Sequence, residues 1–270
     1  MFTTDFVFDG KRASDMGFVL CSFDGEREPA TGGEVEFEVV KPPDNDKFEF
    51  YGAQYTSPLE WNISIMKDIC RYKEDLYFTN EEERMVYKWL QRRDGYHWFC
   101  FCKQDEDAEV VFNVKINVLP HCIGGRTIGF DLTVTTDSAF GYTPLQKKVG
   151  SVSKSSPFIL YVDTDTKGYI LPEINIIGSG KFYISNDSDP VRNYANGKAA
   201  EFGTEKTSDQ QSVSGTIYMN SEYGILEGTA LSNFNCRFLR LVDGKNVFTT
   251  NSTNAIKLEI FYREVRRIAV

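Results

Sequence analysis

The sequence has no apolar run long enough to cross a membrane. Its start, Met1-Phe2-Thr3-Thr4-Asp5-Phe6, has no basic region followed by an apolar core. Neither a membrane association nor an export signal is expected. Positive charge is also scarce: 30 Lys and Arg stand against 39 Asp and Glu, a net charge of −9. Affinity for nucleic acid comes from clustered cations displacing counterions, so no specific nucleic-acid binding is expected. Histidine is nearly missing. Neither His97 nor His121 has a neighbouring Ser or Cys in a nucleophile motif, which leaves acyl transfer without its base. Six cysteines (Cys21, Cys70, Cys100, Cys102, Cys122, Cys236) in 270 residues without an export signal read as buried free thiols of a protein assembled in a reducing cytoplasm.

What is there is aromatic and alternating. The 21 Phe and 14 Tyr, within a hydrophobic fraction of 41%, favour packed strands. Val35, Phe37 and Val39 point one way and Glu34, Glu36 and Glu38 the other. Trp61-Ile63-Ile65, Phe112-Val114-Ile116-Val118 and Ile128-Phe130-Leu132-Val134 repeat that period of two, as half-buried antiparallel strands do. His97 to Cys102 is apolar on both faces and reads as a central strand. One helix is expected from Glu81 to Arg93. Thr79 or Asn80 caps it, Glu81–Glu83 sit at its positive end, and Met85, Val86, Trp89 and Leu90 form the stripe that packs on a sheet.

From Asp137 to Pro157 the alternation stops and Gly, Ser and Pro accumulate, placing a domain boundary near residue 150. The expected domains are 1–145 and 151–270. In the second, strands are expected at Phe158–Val162, Ile170–Ile177, Lys181–Ser185, Val213–Met219, Phe234–Leu241 and Ile256–Tyr262, a β-sandwich pattern. Asn193 to Ser212 reads as an exposed loop.

Several clusters could carry chemistry, and each has a plainer reading. His97-x-x-Cys100-x-Cys102 with His121-Cys122 has the residue types of a zinc site, but the two-residue knuckle spacing is missing, so buried thiols are favoured. Asp163-x-Asp165-x-x-Gly168 lacks the glutamate that closes a calcium loop, since its twelfth position is Ile174; a hairpin turn is favoured. Lys103 to Glu109 reads as a solvated hairpin tip. Carboxylate pairs for glycoside hydrolysis cannot be recognised by spacing. Sugar contact in the second domain would fall to tyrosines, with Tyr183 and Tyr218 as candidates. No catalytic residue, no metal ligand and no cofactor is assigned, and the chain is expected not to be an enzyme.

The order of these features resembles the phage distal tail (Dit-like) protein family, the hub subunits joining tail tube to tip or baseplate in long-tailed phages. The resemblance runs nearly end to end. It rests on Phe6-Val7-Phe8-Asp9-Gly10 with the return to Gly17-Phe18, a long acidic hairpin, the helix at Glu81–Leu90, Asp137-Ser138-Ala139-Phe140-Gly141-Tyr142, Leu171-Pro172-Glu173 to Gly180, Phe238 to Asn246, and the closing Glu259 to Ile268. It implies a mainly β fold: an N-terminal β-sandwich or split-barrel hub domain with one helix and a long hairpin, then a galectin-like β-sandwich. It also implies a homohexameric ring at the virion tail tip, with the tail tube protein and a tail-tip, tail-associated lysin or fibre protein as partners and DNA passing through the lumen. The alternative is a carbohydrate- or receptor-binding tail module. The hairpin expected to embrace the next subunit is Glu34–Tyr55, turning at Pro42-Pro43-Asp44-Asn45-Asp46, with Val35, Phe37, Val39, Phe48, Phe50 and Tyr51 as its contact residues.

Overall fold

Period-two sequences become strands because successive side chains point to opposite faces, and eight runs in the first half of the chain do so. They are β1 (Asp5–Phe8), β2 (Phe18–Cys21), β3 (Val35–Val40), β4 (Glu49–Tyr55), β5 (Leu59–Lys67), β6 (His97–Cys102), β7 (Phe112–Ile123) and β8 (Arg126–Thr136). In this computed structural model, residues 5–23, 31–43, 46–73, 75–102, 109–166, 168–203 and 213–267 are described. The tip expected at Lys103–Glu109 lies outside them except for Glu109, as do Asp44 and Asn45, Lys167, and the last nine residues of the loop expected at Asn193–Ser212. The chain divides into two compact units, Met1–Tyr142 with Arg267–Val270, and Thr143–Arg266.

In the first unit six of these strands form one antiparallel sheet in the order β1-β6-β7-β8-β5-β2. Lys11–Arg12 adds outside β1 and Thr31–Gly32 pairs with β5. β6 is interior, as its two apolar faces require. The inward rows are Phe112, Val114, Ile116 and Val118 on β7, and Phe130, Leu132 and Val134 on β8. A register shift between Thr127 and Gly129 changes the phase at the start of β8, so Thr127 is buried and Ile128, expected inward, is only half-buried. A Cβ on Gly129 would fall 2.5 Å from the Ile65 carbonyl and 2.4 Å from the Phe23 ring, which occupies that notch.

Two helices follow β5: α1 (Ile69–Tyr72) and α2 (Asn80–Leu90). A full capping box sets the start of α2. Glu82 N donates to Thr79 Oγ1 at 3.3 Å, and Thr79 N donates to Glu82 Oε2 at 2.8 Å. The helix ends three residues earlier than expected, because Arg92 leaves the axis to pair with Asp9 and Asp94. Trp89 stacks on Phe6 (5.9 Å) and on Phe18 (6.1 Å), and its Nε1 donates to the Phe8 carbonyl at 3.3 Å. Phe6 and Phe18 belong to opposite ends of the sheet path, so the sheet curls until both ends meet the helix. Met85, expected in the packed stripe, is instead 53% exposed. Lys67 is the reverse surprise. It ends the inward row of β5 at 1% exposure, its Nζ donating to the Tyr77 carbonyl (2.7 Å) and to Glu82 (2.9 Å), between the rings of Tyr72 and Phe78.

The second unit is a two-sheet sandwich. Its strands are β9 (Gln146–Val152), β10 (Phe158–Val162), β11 (Glu173–Gly180), β12 (Phe182–Asn186), β13 (Ala200–Phe202), β14 (Val213–Asn220), β15 (Ile225–Glu227), β16 (Gly244–Thr249) and β17 (Ile256–Tyr262). One sheet runs β9-β17-β11-β14-β15, the other β10-β16-β12-β13, around a single core that includes Ile174, Ile217, Leu258, Phe182, Phe202 and Phe248.

Four expectations change here. β9 lies inside the stretch read as a linker, pairing with β17 from Gln146↔Tyr262 to Val152↔Ile256. β13 lies within the expected loop at Asn193–Ser212, with Ala200 and Phe202 buried. Phe234–Leu241 is not a regular strand: Cys236 has φ 57°, and the Asn235 side chain binds Glu201 N, Arg237 N and the Ala199 carbonyl in place of a ladder. β16 is not announced by its sequence, because Asn246 interrupts its apolar row. Asn246 is fully buried, accepting from Asn186 at 2.8 Å and donating to the Val242 carbonyl.

An exposed apolar hairpin

The candidate site is built at its root. The chain leaves the first sheet after Thr31–Gly32, which pairs with Glu60 and Leu59. Gly32 is needed for space and conformation together, since its φ is +96° and a Cβ would sit 1.9 Å from the Pro58 carbonyl oxygen. Gly33 N donates to Ser57 O and Thr56 N to Glu34 O, closing the base of the ribbon. Tyr55 sets its edge on Phe140 at 4.5 Å, holding that base against the domain.

Beyond the root, β3 and β4 pair only with each other among the described residues. The register runs Val35↔Tyr55, Phe37↔Ala53, Glu38↔Gly52, then shifts so that Val39 faces Phe50 and Val40 faces Glu49. Strict alternation would set Phe50 on the face opposite Ala53 and Tyr55. The extra residue at Tyr51 changes the phase and carries Phe50 round to Val35, Phe37 and Val39. The rings of Phe37 and Phe50 are 6.2 Å apart. Glu36, Glu38 and Glu49 occupy the other face, where the Tyr51 hydroxyl donates to the Glu49 carboxylate at 3.1 Å.

All six expected contact residues are exposed: Val35 39%, Phe37 63%, Val39 50%, Phe48 66%, Phe50 64% and Tyr51 65%. Isolated two-stranded ribbons are marginal in water, and a soluble monomer seldom presents so contiguous an apolar stripe unpartnered. The hairpin's charge is one-sided too. Glu34, Glu36, Glu38, Asp44, Asp46 and Glu49 outweigh Lys41 and Lys47.

The other candidates do not gather into sites. Tyr183 and Tyr218 face outward from opposite sheets of the sandwich. The first stacks on Tyr194 at 4.3 Å, and the hydroxyl of the second accepts from Asn220 at 3.4 Å. His97 pairs with Asp94 and Asp9, and His121 pairs with Asp131 while stacked on Phe23, so neither histidine reaches the Cys100–Cys102 pair. Among the described residues no group of three or more His, Cys, Asp or Glu side chains could hold a metal ion. The expected burial of the cysteines holds for Cys102 alone. Cys21 and Cys100 are half-buried and Cys70, Cys122 and Cys236 exposed, because the last three fall on a helix, a strand end and a turn. Burial pushes the Cys21 thiol up to about 11, and burial with the neighbouring Cys102 pushes Cys100 up to about 12, which disfavours the nucleophilic thiolate.

With this geometry in place, comparison with known proteins is specific. A family model described as a phage tail protein N-terminal domain matches residues 1–138, and one described as a phage tail C-terminal domain matches residues 140–262. No curated protein matches the chain. Among solved structures it is similar to the Dit protein of phage SPP1, described as a paradigm of the hub adsorption apparatus in phages infecting Gram-positive bacteria. That likeness has a TM-score of 0.60 at 11% identity, covering 97% of this chain and 99% of that one. It is also similar to a chain of the phage p2 baseplate in its activated conformation with Sr, with a TM-score of 0.47 at 12% identity, covering 99% and 100%.

Proposed function

Because the chain belongs to this phage tail protein family, we propose that it is a non-enzymatic distal tail hub subunit, closing into a homohexameric ring between the tail tube and the tail tip or baseplate. The observation that carries the ring is the Glu34–Tyr55 hairpin, rooted in the first unit yet exposing its apolar stripe to water. Burial on the next copy removes that stripe from solvent, and a repeated head-to-tail contact between identical chains closes as a ring when its rotation divides a full turn. The shared fold with a hub protein supports this reading. A ring has two unlike rims, so one can meet the tail tube protein and the other a tail-tip, tail-associated lysin or fibre protein. With a net charge of −9 per copy, a lumen lined by this chain lets DNA pass without adhering. Assembly in the host cytoplasm followed by residence at the virion tail tip fits free, unpaired cysteines.

The test is electron microscopy of the purified protein together with its mass in solution. Rings of six copies are expected; a chain that stays monomeric at millimolar concentration overturns the reading.

A further inference from the structure

At the end of β5 remote from the hairpin root lies a small apolar cavity open to solvent. Met16, Tyr72, Phe78, Met85 and Trp89 line it, over the buried Lys67, and its volume is about 60 Å³. The Lys67 ammonium is engaged by Glu82 and the Tyr77 carbonyl, so the cavity wall is mostly carbon, with the lysine-paired Glu82 carboxylate as its acidic member. Its rim carries an exposed apolar side chain, Met85 (53%). Arg84 and Lys88, one helical turn apart, flank Met85; both are exposed, and neither has an ion-pair partner among the described residues. The hairpin carries the complement: an apolar stripe flanked by Glu36 and Glu38, which are also exposed and without partners among the described residues.

Knob and hole stand at opposite ends of one strand. The hairpin root pairs with Leu59 and Glu60, whereas the cavity includes Lys67, eight residues from Leu59. At about 3.3 Å per residue the separation is on the order of 26 Å. A patch and a pocket on different parts of one molecule make a head-to-tail contact, the kind that generates rings.

We propose that the cavity and its α2 rim receive the apolar stripe of the hairpin of a second copy. This rests on the reading of the hairpin as the assembly surface, and it names that surface's partner. The cavity is well under the ~150 Å³ that encloses a benzene ring, so it admits the edge of one ring or an aliphatic tip. The rest of the stripe lies on Met85, where thioether–aromatic contact is favourable. Arg84 and Lys88 meet Glu36 and Glu38 at the edge.

The experiment uses two variants of the full chain, Phe37→Asp to disable the hairpin and Met85→Glu to disable the rim, with oligomer mass as readout. Both side chains are exposed, so unchanged thermal melting serves as the control for folding. If Met85→Glu fails that control, Arg84→Glu, which lies outside the cavity lining, replaces it. Each variant alone is expected to be monomeric. Mixed, they should give a dimer and nothing larger, because one intact hairpin then meets one intact rim. A rim variant that assembles like wild type beside a monomeric Phe37→Asp overturns the docking site and leaves the hairpin reading standing. Two monomeric variants that give no dimer on mixing also overturn it. Two variants that both assemble, or a wild-type chain that stays monomeric, overturn both.

Discussion

Phe37→Asp tests the assembly surface quantitatively. Phe37 leaves 63% of its surface in water. A phenylalanine offers 150–250 Å², so about 130 Å² is available for burial on a partner. At 25 cal/mol per Å² that is about 3 kcal/mol per contact, a loss of roughly a hundredfold in contact affinity before the cost of desolvating the new carboxylate. The monomer should hardly notice. Substitutions at exposed positions usually stay within about 0.5 kcal/mol, and the Phe37–Phe50 contact at 6.2 Å is the one ring pair lost. Sedimentation velocity across a hundredfold dilution series, run beside thermal melting, separates the two effects. The expected result is a shift from oligomer to monomer with an unchanged melting temperature, while Phe37→Leu keeps most of the assembly. An oligomer distribution identical to wild type across the series would refute the assignment of this face to a contact.

Other consequences concern the folded units. Glu82→Gln leaves the Lys67 ammonium buried without its counter-charge. It should cost about 2 kcal/mol in urea unfolding, below the 3–5 kcal/mol of a fully buried pair because the Glu82 side chain keeps 28% exposure; an effect no larger than that of Glu83→Gln would count against the pair. Burial raises the Glu82 carboxyl, but bonds from Thr79 and Lys67 outweigh it and hold it below its ordinary value. That stability is present above about pH 4.5 and is lost as pH falls through the depressed value. Asp189, with no side-chain exposure, accepts two bonds from Arg240 at 2.9 and 3.0 Å, so Asp189→Asn should destabilise the second unit by about 3 kcal/mol or more, read by its separate melting transition. Alkylation followed by mass spectrometry at pH 8 should label Cys70, Cys122 and Cys236 well before Cys100 and Cys102; early labelling of Cys100 would contradict its burial.

The elements that were legible in the sequence are those whose local chemistry and tertiary role agree. The capping box at Thr79 and Glu82, the period-two rows of β5, β7 and β17, and the alternation of Val35, Phe37 and Val39 each state their structure locally. Structure departs from pattern where side chains take over a job that the pattern assigns to backbone or core. Asn246 sits in an apolar row because it bonds Asn186 and Val242, and Phe234–Leu241 loses its ladder to Asn235. Lys67 fills an inward position because Glu82, fifteen residues on, supplies its counter-charge and the Tyr77 carbonyl accepts a further bond. The hairpin shows the limit most clearly: alternation identifies its dry arm, but only the register shift at Tyr51 puts Phe50 beside Phe37.

The acidic face of the hairpin answers a problem that its apolar face creates. A two-stranded ribbon whose outer edges pair with no other described strand is a template for pairing with another ribbon, and one bearing Phe37 and Phe50 would gain by doing so. Hairpin-to-hairpin contact brings Glu36, Glu38 and Glu49 of one copy against the same carboxylates of the next, and like charges facing each other across strands are destabilising. Contact at Arg84 and Lys88, beyond the acidic first turn of α2 at Glu81–Glu83, gives the same carboxylates cations to face, so charge separates two associations that apolar burial alone would not distinguish. Replacing Glu36 and Glu38 with Gln should therefore leave the apolar contact in place and remove the discrimination. Light scattering is expected to show irregular, growing aggregates beside the regular oligomer, and the association rate should lose much of its dependence on salt. If the double variant assembles as cleanly as wild type, with the same salt dependence, the carboxylates play no part in choosing the partner.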